Sequence, residues 1–69
     1  STIRWNGMPN ETGTLEMIAM DGRIVYTTTI ASLAGARSVQ IASSELGAGV
    51  YTARLRSASG VSKTIQLVK

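Results

Sequence analysis

The sequence predicts an all-β protein, an antiparallel β-sandwich built from six to seven short strands. Apolar and polar residues alternate with a period of two through much of the 69-residue chain, as in strands that bury one face. Glycine, aspartate, asparagine and serine interrupt this alternation about every 8–12 residues, the strand spacing of a sandwich. No segment keeps a helical period, and so short a chain can build only one core. We therefore expect a single domain over residues 1–69.

Six strands can be placed from the alternation, over residues 2–5, 14–19, 23–29, 38–42, 50–56 and 61–68. Residues 30–37 are interpreted as a loop. The core must be largely aliphatic, because the chain has no phenylalanine and only one tryptophan. The predicted core comprises Trp5, Leu15, Met17, Ala19, Val39, Ile41, Leu46, Tyr51, Ala53, Leu55, Ile65 and Leu67.

The sequence predicts two turns between strands most clearly. Asp21-Gly22 lies between two strand-like runs and predicts a β-hairpin with a two-residue type I′ turn, which needs positive φ at both positions. Residues 57–60, Ser-Ala-Ser-Gly, predict a second turn before the last strand. Gly47 and Gly49 lead into a strand rather than a helix, so they are expected to allow a tight turn or a bulge and not to bind a nucleotide.

The composition argues against an enzyme. The absence of histidine and cysteine removes the usual general base, the commonest transition-metal ligand and thiolate chemistry. The carboxylates fall in separate predicted turns or on a solvent face, so no acid–base pair is expected among Glu11, Glu16, Asp21 and Glu45. A serine–lysine dyad through Lys63 has no supporting motif. We expect no catalytic residue, no metal and no cofactor.

Charge and hydropathy restrict the partners. The net charge of +3 comes from scattered basic residues, which do not form the dense patch typical of nucleic-acid-binding proteins. No apolar run reaches the ~18 residues of a membrane-spanning helix. We therefore expect neither a nucleic acid partner nor a transmembrane segment. Trp5 with Tyr26 or Tyr51 could stack on a sugar, but a lone tryptophan in a terminal strand is expected to cap the core.

Three segments, taken in order, resemble one known family. Residues 14–25 join an apolar strand, the Asp21-Gly22 turn, Arg23 and an apolar pair. Residues 46–55 contain the pattern L-x-x-G-V-Y followed by an alternating strand, and residues 59–69 end in an apolar pair and a lysine. Together these segments resemble the type A C-terminal sorting domain of the type IX secretion system, the Por secretion tail.

The resemblance implies an Ig-like β-sandwich at the C-terminal end of a larger secreted protein, in bacteria related to the Bacteroidetes. It also implies that the domain is a sorting signal, which an outer-membrane translocon recognises in the periplasm. A sortase-like peptidase then removes the domain, and the cargo reaches the cell surface or the medium. A sorting signal needs a self-contained fold and a surface that another protein can bind, but it needs no active site.

We predict that the terminal hairpin, residues 51–69, is the recognised element, because an edge strand can be captured by strand addition. Asp21 and Gly22 are assigned a structural role in the other hairpin. The same edge allows a dimer. The predicted recognition residues are the G-V-Y triplet and the basic residues of one positive tip: Gly49, Val50, Tyr51, Arg54, Arg56, Lys63 and Lys69.

Two other functions fit the sequence. One is a non-catalytic carbohydrate-binding or Ig-like accessory module of a secreted polysaccharide-degrading enzyme. The other is a structural or adhesive subunit that polymerises by strand exchange. Affinity for soluble polysaccharides, with Trp5→Ala as control, separates the first from a sorting signal. Sizing at rising concentration distinguishes the second from a sorting signal, because a polymerising subunit forms assemblies larger than a dimer.

Overall fold

The computed structural model describes residues 2–41 and 46–69, and these residues contain six β-strands and no helix. The strands are β1 (Thr2–Arg4), β2 (Gly13–Ala19), β3 (Ile24–Ile30), β4 (Ser38–Gln40), β5 (Val50–Ser57) and β6 (Ser62–Val68). β1 pairs with β4 in a small antiparallel sheet, and the other strands form a larger sheet in the order β3-β2-β5-β6. The prediction of an all-β, Ig-like antiparallel sandwich is confirmed.

The predicted strands differ from the observed ones mainly at their ends. β1 ends at Arg4, one residue before the predicted end, and β4 ends at Gln40. Ala42, where the fourth strand was expected to end, lies outside the described residues. The segment between β3 and β4 is a loop of turns, as predicted. Strand ends are where short-range patterns carry least information, because pairing with a neighbour decides them.

Side chains from the inner faces of both sheets form one hydrophobic core. Ala19, Val39, Ile65 and Leu67 are half-buried and pack against it, so the predicted core positions are confirmed. Burial of these side chains is the main favourable term in the folding of so small a domain. The buried members of the core are Ile3, Trp5, Met8, Leu15, Met17, Ile30, Leu33, Ile41, Leu46, Tyr51, Ala53 and Leu55.

Leu33 is a core residue that alternation does not predict. It belongs to the loop between β3 and β4, yet its exposed fraction is 0%. Its side chain packs on Gly13, where a Cβ atom would lie 2.5 Å from Leu33 Cδ1. The Leu33 carbonyl accepts a hydrogen bond of 2.9 Å from Trp5 Nε1, and its N–H donates to the carbonyl of Glu11 at 3.0 Å. Trp5, only 6% exposed, therefore caps the core as predicted.

The β2–β3 hairpin is present, but the prediction of a type I′ turn is wrong. Gly22 has a φ of +86°, whereas no described residue other than glycine has a positive φ, so Asp21 does not. Gly22 N–H donates to Ala19 O at 2.9 Å, and Ala19 N–H donates to Arg23 O at 2.8 Å. These bonds close a three-residue loop, a turn followed by one left-handed glycine. This loop supplies the needed twist while Asp21 avoids a left-handed conformation.

The β5–β6 hairpin closes in the same way. Gly60 has a φ of +98°, and its N–H donates to Ser57 O at 3.0 Å. Ser57 N–H donates to Val61 O at 2.8 Å. The turn predicted at residues 57–60 is therefore confirmed, with its glycine in the same position as Gly22 in the other hairpin. The two hairpin turns lie at opposite ends of the four-stranded sheet, because β2 and β5 run antiparallel.

Candidate recognition surface

The β5–β6 hairpin forms one edge of the larger sheet, with β6 outermost. The register pairs Val50 with Val68 at one end and Arg56 with Ser62 at the other. Beyond β6, Gly49 and Lys69 exchange two backbone hydrogen bonds of 2.8 Å, which continues the ladder to the last residue. In an antiparallel ladder, hydrogen-bonded and non-hydrogen-bonded pairs alternate. This pair therefore determines which groups of β6 point towards β5 and which point away.

Every second residue of β6 directs its backbone N–H and C=O away from β5. Counting back from the hydrogen-bonded Gly49–Lys69 pair, the odd-numbered residues of β6 bond to β5. The outward groups belong to Ser62, Thr64, Gln66 and Val68. Within residues 2–41 and 46–69, no hydrogen bond reaches these outward groups. The β6 edge is thus a row of donors and acceptors available to another strand.

The opposite edge of the sheet, β3, is less regular. The register between β2 and β3 shifts between Met17 and Ile18, which leaves Val25 as an extra residue on β3. A bulge of this kind bends an edge strand and interrupts its row of outward groups. Hydrogen-bonded and non-hydrogen-bonded pairs also alternate between β5 and β2 and between β2 and β3. By this alternation, the backbone N–H and C=O groups of β3 that point away from β2 belong to Thr27 and Thr29. The sheet therefore has one bulged edge and one regular edge.

The L-x-x-G-V-Y pattern builds the entry into β5. Leu46 is buried at the end of the core, as predicted. The Tyr51 side chain is also buried, and its hydroxyl donates to Gly47 O, four residues earlier, at 2.8 Å. A tyrosine that bonds back to the preceding backbone at the start of a strand is the tyrosine corner of Ig-like sandwiches. Gly49, with a φ of +154°, adopts a backbone conformation that other residues rarely adopt.

Lys69 closes this end of the hairpin. Besides its backbone pairing with Gly49, its Nζ donates to Leu46 O at 2.6 Å. The last residue of the chain therefore holds the segment before β5 in place. Val50 and Val68 lie opposite each other on the outer face of the sheet, and Val68 is 73% exposed. Lys69 and Gly49 thus shape the hairpin, while the valine pair offers apolar surface beside the free edge.

The remaining predicted cations lie on different faces. Arg54 is bound to Glu16 of β2, with Nε and Nη2 at 2.9 Å and 2.6 Å from one carboxylate oxygen. Arg56 is exposed on the same outer face and has no ion pair within the described segments. Lys63 lies on the inner face opposite Leu55, where its Nζ donates to the backbone and side-chain oxygens of Asn6 at 2.6 Å and 3.2 Å.

The four cations therefore do not form one positive tip, and that expectation is corrected. Alternation along a strand sends Arg54 and Arg56 to one face and leaves Lys63 of the neighbouring strand on the other. About 23 Å of strand separates Arg56 from Gly49, which faces Lys69 at the far end. The cations line the length of the hairpin instead of gathering at its turn.

The three carboxylates of the described residues are also separated, and Glu45 lies outside the described residues. Glu16 pairs with Arg54, and Asp21 lies 4.0 Å from Arg23 at the β2–β3 turn. Glu11 accepts hydrogen bonds from the hydroxyl of Ser59 and, at 3.3 Å, from its N–H, which joins the loop before β2 to the β5–β6 turn. The Ser59 hydroxyl, followed by that of Ser57, holds the pKa of Glu11 below its usual value of 4.5.

No sugar-stacking platform forms from the aromatic residues. Trp5 and Tyr51 are both buried, and Tyr26 is half-buried opposite Met17. Across residues 2–41 and 46–69, no group of acidic or sulfur- or imidazole-bearing side chains is placed to hold a metal ion. These same residues include no helix long and apolar enough to cross a bilayer.

A small sandwich with one regular free edge and dispersed charges has the features of a binding or targeting module. Comparison with known families identifies which one. The family model for secretion system C-terminal sorting domains matches residues 1–69, the whole chain, and the chain belongs to this family. It is a sorting signal of the type IX secretion system, a class of domain that is generally non-catalytic. Neither a curated protein nor a solved structure gives a match.

Proposed function

We propose that this domain directs an attached cargo protein through the type IX secretion system and across the outer membrane. The cargo passes the periplasm and ends at the cell surface or in the medium. The observation that carries the proposal is the family match over residues 1–69, on a chain whose last strand forms a regular free edge. The domain acts by being bound, and it catalyses no reaction itself.

The proposed contact is strand addition to β6. The outward N–H and C=O groups of residues 62, 64, 66 and 68 match the spacing of a strand supplied by the outer-membrane translocon. Main-chain hydrogen bonds of this kind give affinity with little dependence on sequence, which suits a signal carried by different cargoes. The recognised element is the hairpin of residues 51–69. Folding precedes recognition, because the edge exists only when β5 pairs with β6.

The predicted recognition residues then divide by role. Gly49, Tyr51 and Lys69 position the hairpin through the turn, the tyrosine corner and the terminal ladder pair. Val50 offers apolar surface on the outer face, next to the exposed Val68. The cationic side chains add positive charge along the hairpin, and the exposed Arg56 is the one best placed to contact a partner directly.

A sortase-like peptidase is the second proposed partner. It acts after passage and separates the domain from the cargo. A compact sandwich suits that step, because the folded hairpin resists proteolysis while an extended connection to the cargo does not. The peptidase supplies the catalytic groups, which is consistent with the separation of Glu11, Glu16 and Asp21.

A secretion assay tests the proposal. A periplasm-exported reporter carrying residues 1–69 at its C-terminus is expected to appear in the medium or on the cell surface of a strain with a type IX system. The same reporter lacking residues 61–69 is expected to stay in the periplasm, because the deletion removes β6. A reporter that leaves the cell equally well without those residues, or in a strain without the translocon, contradicts the proposal.

A further inference from the structure

We propose that the strand which pairs with β6 runs antiparallel to it and carries an acidic residue opposite Lys63 and apolar residues opposite Ile65 and Leu67. This inference rests on the proposed function and adds the chemistry of the partner. Read from its N-terminus, the partner strand is apolar at two alternate positions and acidic at the next alternate position.

The edge geometry determines which partner residues meet which side chains. The outward backbone groups belong to the even-numbered residues of β6, whose side chains lie on the outer face. A partner strand bonds to those groups, so its residues opposite the odd-numbered positions face inward. There they meet Ile65 and Leu67, which are half-buried and pack against the core. Apolar partner residues at these two positions extend the core by one strand.

The charge of the hairpin favours an acidic partner. Residues 46–69 contain Arg54, Arg56, Lys63 and Lys69 and no aspartate or glutamate. Arg54 is already neutralised by Glu16 of β2. Lys63 lies on the inner face at the free edge, and the oxygens that its Nζ contacts within the described segments are the neutral ones of Asn6. A carboxylate directly opposite Lys63 on an added strand completes a cross-strand ion pair.

Lys63 also disfavours pairing between two copies of β6. The symmetric antiparallel register centred on Gln66 places Ile65 opposite Leu67, but it places Lys63 opposite Lys69. Shifting the register by two residues places Lys63 opposite Leu67 instead, an unmatched charge against an apolar side chain. Inward-pointing charges on an edge strand are a known protection against self-association. The partner is therefore a different strand, and the edge-strand dimer is disfavoured.

Two matched peptides test this chemistry on the 69-residue chain. The first has the sequence Thr-Val-Thr-Val-Thr-Glu-Thr with both ends blocked, and the second has lysine in place of the glutamate. Titrated into the ¹⁵N-labelled chain, the acidic peptide is expected to shift the amides of Thr64, Gln66 and Val68 but not those of Thr27 and Thr29. The lysine peptide is expected to bind about fivefold more weakly. Equal affinities, or shifts centred on β3, overturn the proposal.

Variants at Lys63 sharpen the test. Lys63→Glu is expected to reverse the preference between the two peptides, and Lys63→Gln, which keeps a side-chain N–H donor without the charge, is expected to abolish it. Lys63→Glu also turns the repulsion with Lys69 into an attraction, so sizing at rising concentration is expected to show a dimer for this variant and a monomer for the wild-type chain. A wild-type dimer through β6, or an unchanged preference in both variants, contradicts the inference.

The outcomes separate this inference from the proposed function. If the reporter needs residues 61–69 for secretion but both peptides bind equally, the sorting role stands and the acidic-apolar chemistry fails. If the reporter is secreted without residues 61–69, the proposed function fails whatever the peptides do.

Discussion

The Tyr51 hydroxyl donates a hydrogen bond to the carbonyl oxygen of Gly47, four residues earlier, at 2.8 Å. This bond connects the most recognisable motif of the chain to its fold, because it fixes the corner from which β5 starts. β5 pairs with both β2 and β6, so its entry angle affects the whole larger sheet. Under the proposed function, the motif contributes to sorting by building the edge strand to which we expect the translocon to bind.

Removing this hydroxyl is expected to weaken the domain without changing its fold. Tyr51→Phe keeps the buried ring and loses one hydrogen bond, which corresponds to about 1 kcal/mol in the free energy of unfolding. Tyr26→Phe is the matched control, since no described residue bonds to the Tyr26 hydroxyl. Urea unfolding followed by tryptophan fluorescence measures both. Equal effects of the two substitutions contradict the role of the corner.

The contact between Gly13 and Leu33 is expected to tolerate no added methyl group. A Cβ at Gly13 would lie 2.5–2.8 Å from three side-chain carbons of the buried Leu33, which would have to shift to make room for it. Gly13→Ala is expected to cost about 1–3 kcal/mol of unfolding free energy. In a Leu33→Ala background the same substitution is expected to cost little. If Gly13→Ala lowers the free energy of unfolding by a similar amount in both backgrounds, the contact with Leu33 does not cause the loss.

The two turn glycines are expected to show a purely conformational penalty. A Cβ atom added at Gly22 or Gly60 would have no neighbour within 4 Å, so a side chain there meets only the strain of a left-handed backbone. Alanine at either position is expected to lower the free energy of unfolding by about 1–2 kcal/mol, and asparagine is expected to lower it by less. The costs should add, because the turns lie at opposite ends of the sheet. A double variant whose loss of unfolding free energy differs strongly from the sum of the two single losses would contradict this prediction.

Stability is expected to depend on the ionisation of Glu11. Hydrogen bonds from Ser59 and Ser57 lower its folded pKa below 4.5, the usual value that the unfolded chain retains. Its contribution is therefore present above that value and is lost as the pH falls through the folded pKa. The free energy of unfolding of Glu11→Gln is expected to be lower than that of wild type at neutral pH and to approach the wild-type value in acid. Ser59→Ala is expected to show the same pH dependence. A difference in stability from wild type that does not change with pH would contradict this role of Glu11.

The sequence predicted the fold and the core well, because alternation and turn residues act over a few positions. It did not predict the burial of Leu33, since a loop residue shows no period and its partner Gly13 lies far away in the chain. Nor did it reveal that Arg54 is neutralised by Glu16, which depends on the register between β2 and β5. The turn at Asp21-Gly22 was placed correctly, but its loop has three residues because one glycine suffices for the twist.

Secretion is expected to depend on the outward backbone groups of β6. Gln66→Pro removes an outward N–H and leaves every hydrogen bond between β5 and β6 intact. Thr27→Pro makes the same change on the opposite edge, where the outward groups belong to β3. Both variants are expected to fold, which circular dichroism of the purified domains checks before secretion is measured.

The most direct measurement is the amount of reporter outside the cell for these two variants. Loss of one outward donor corresponds to about 1 kcal/mol of binding. Gln66→Pro is therefore expected to lower secretion about fivefold, with the reporter retained in the periplasm, while Thr27→Pro is secreted like wild type. Equal secretion of both folded variants, or a loss confined to Thr27→Pro, would contradict recognition through the β6 edge.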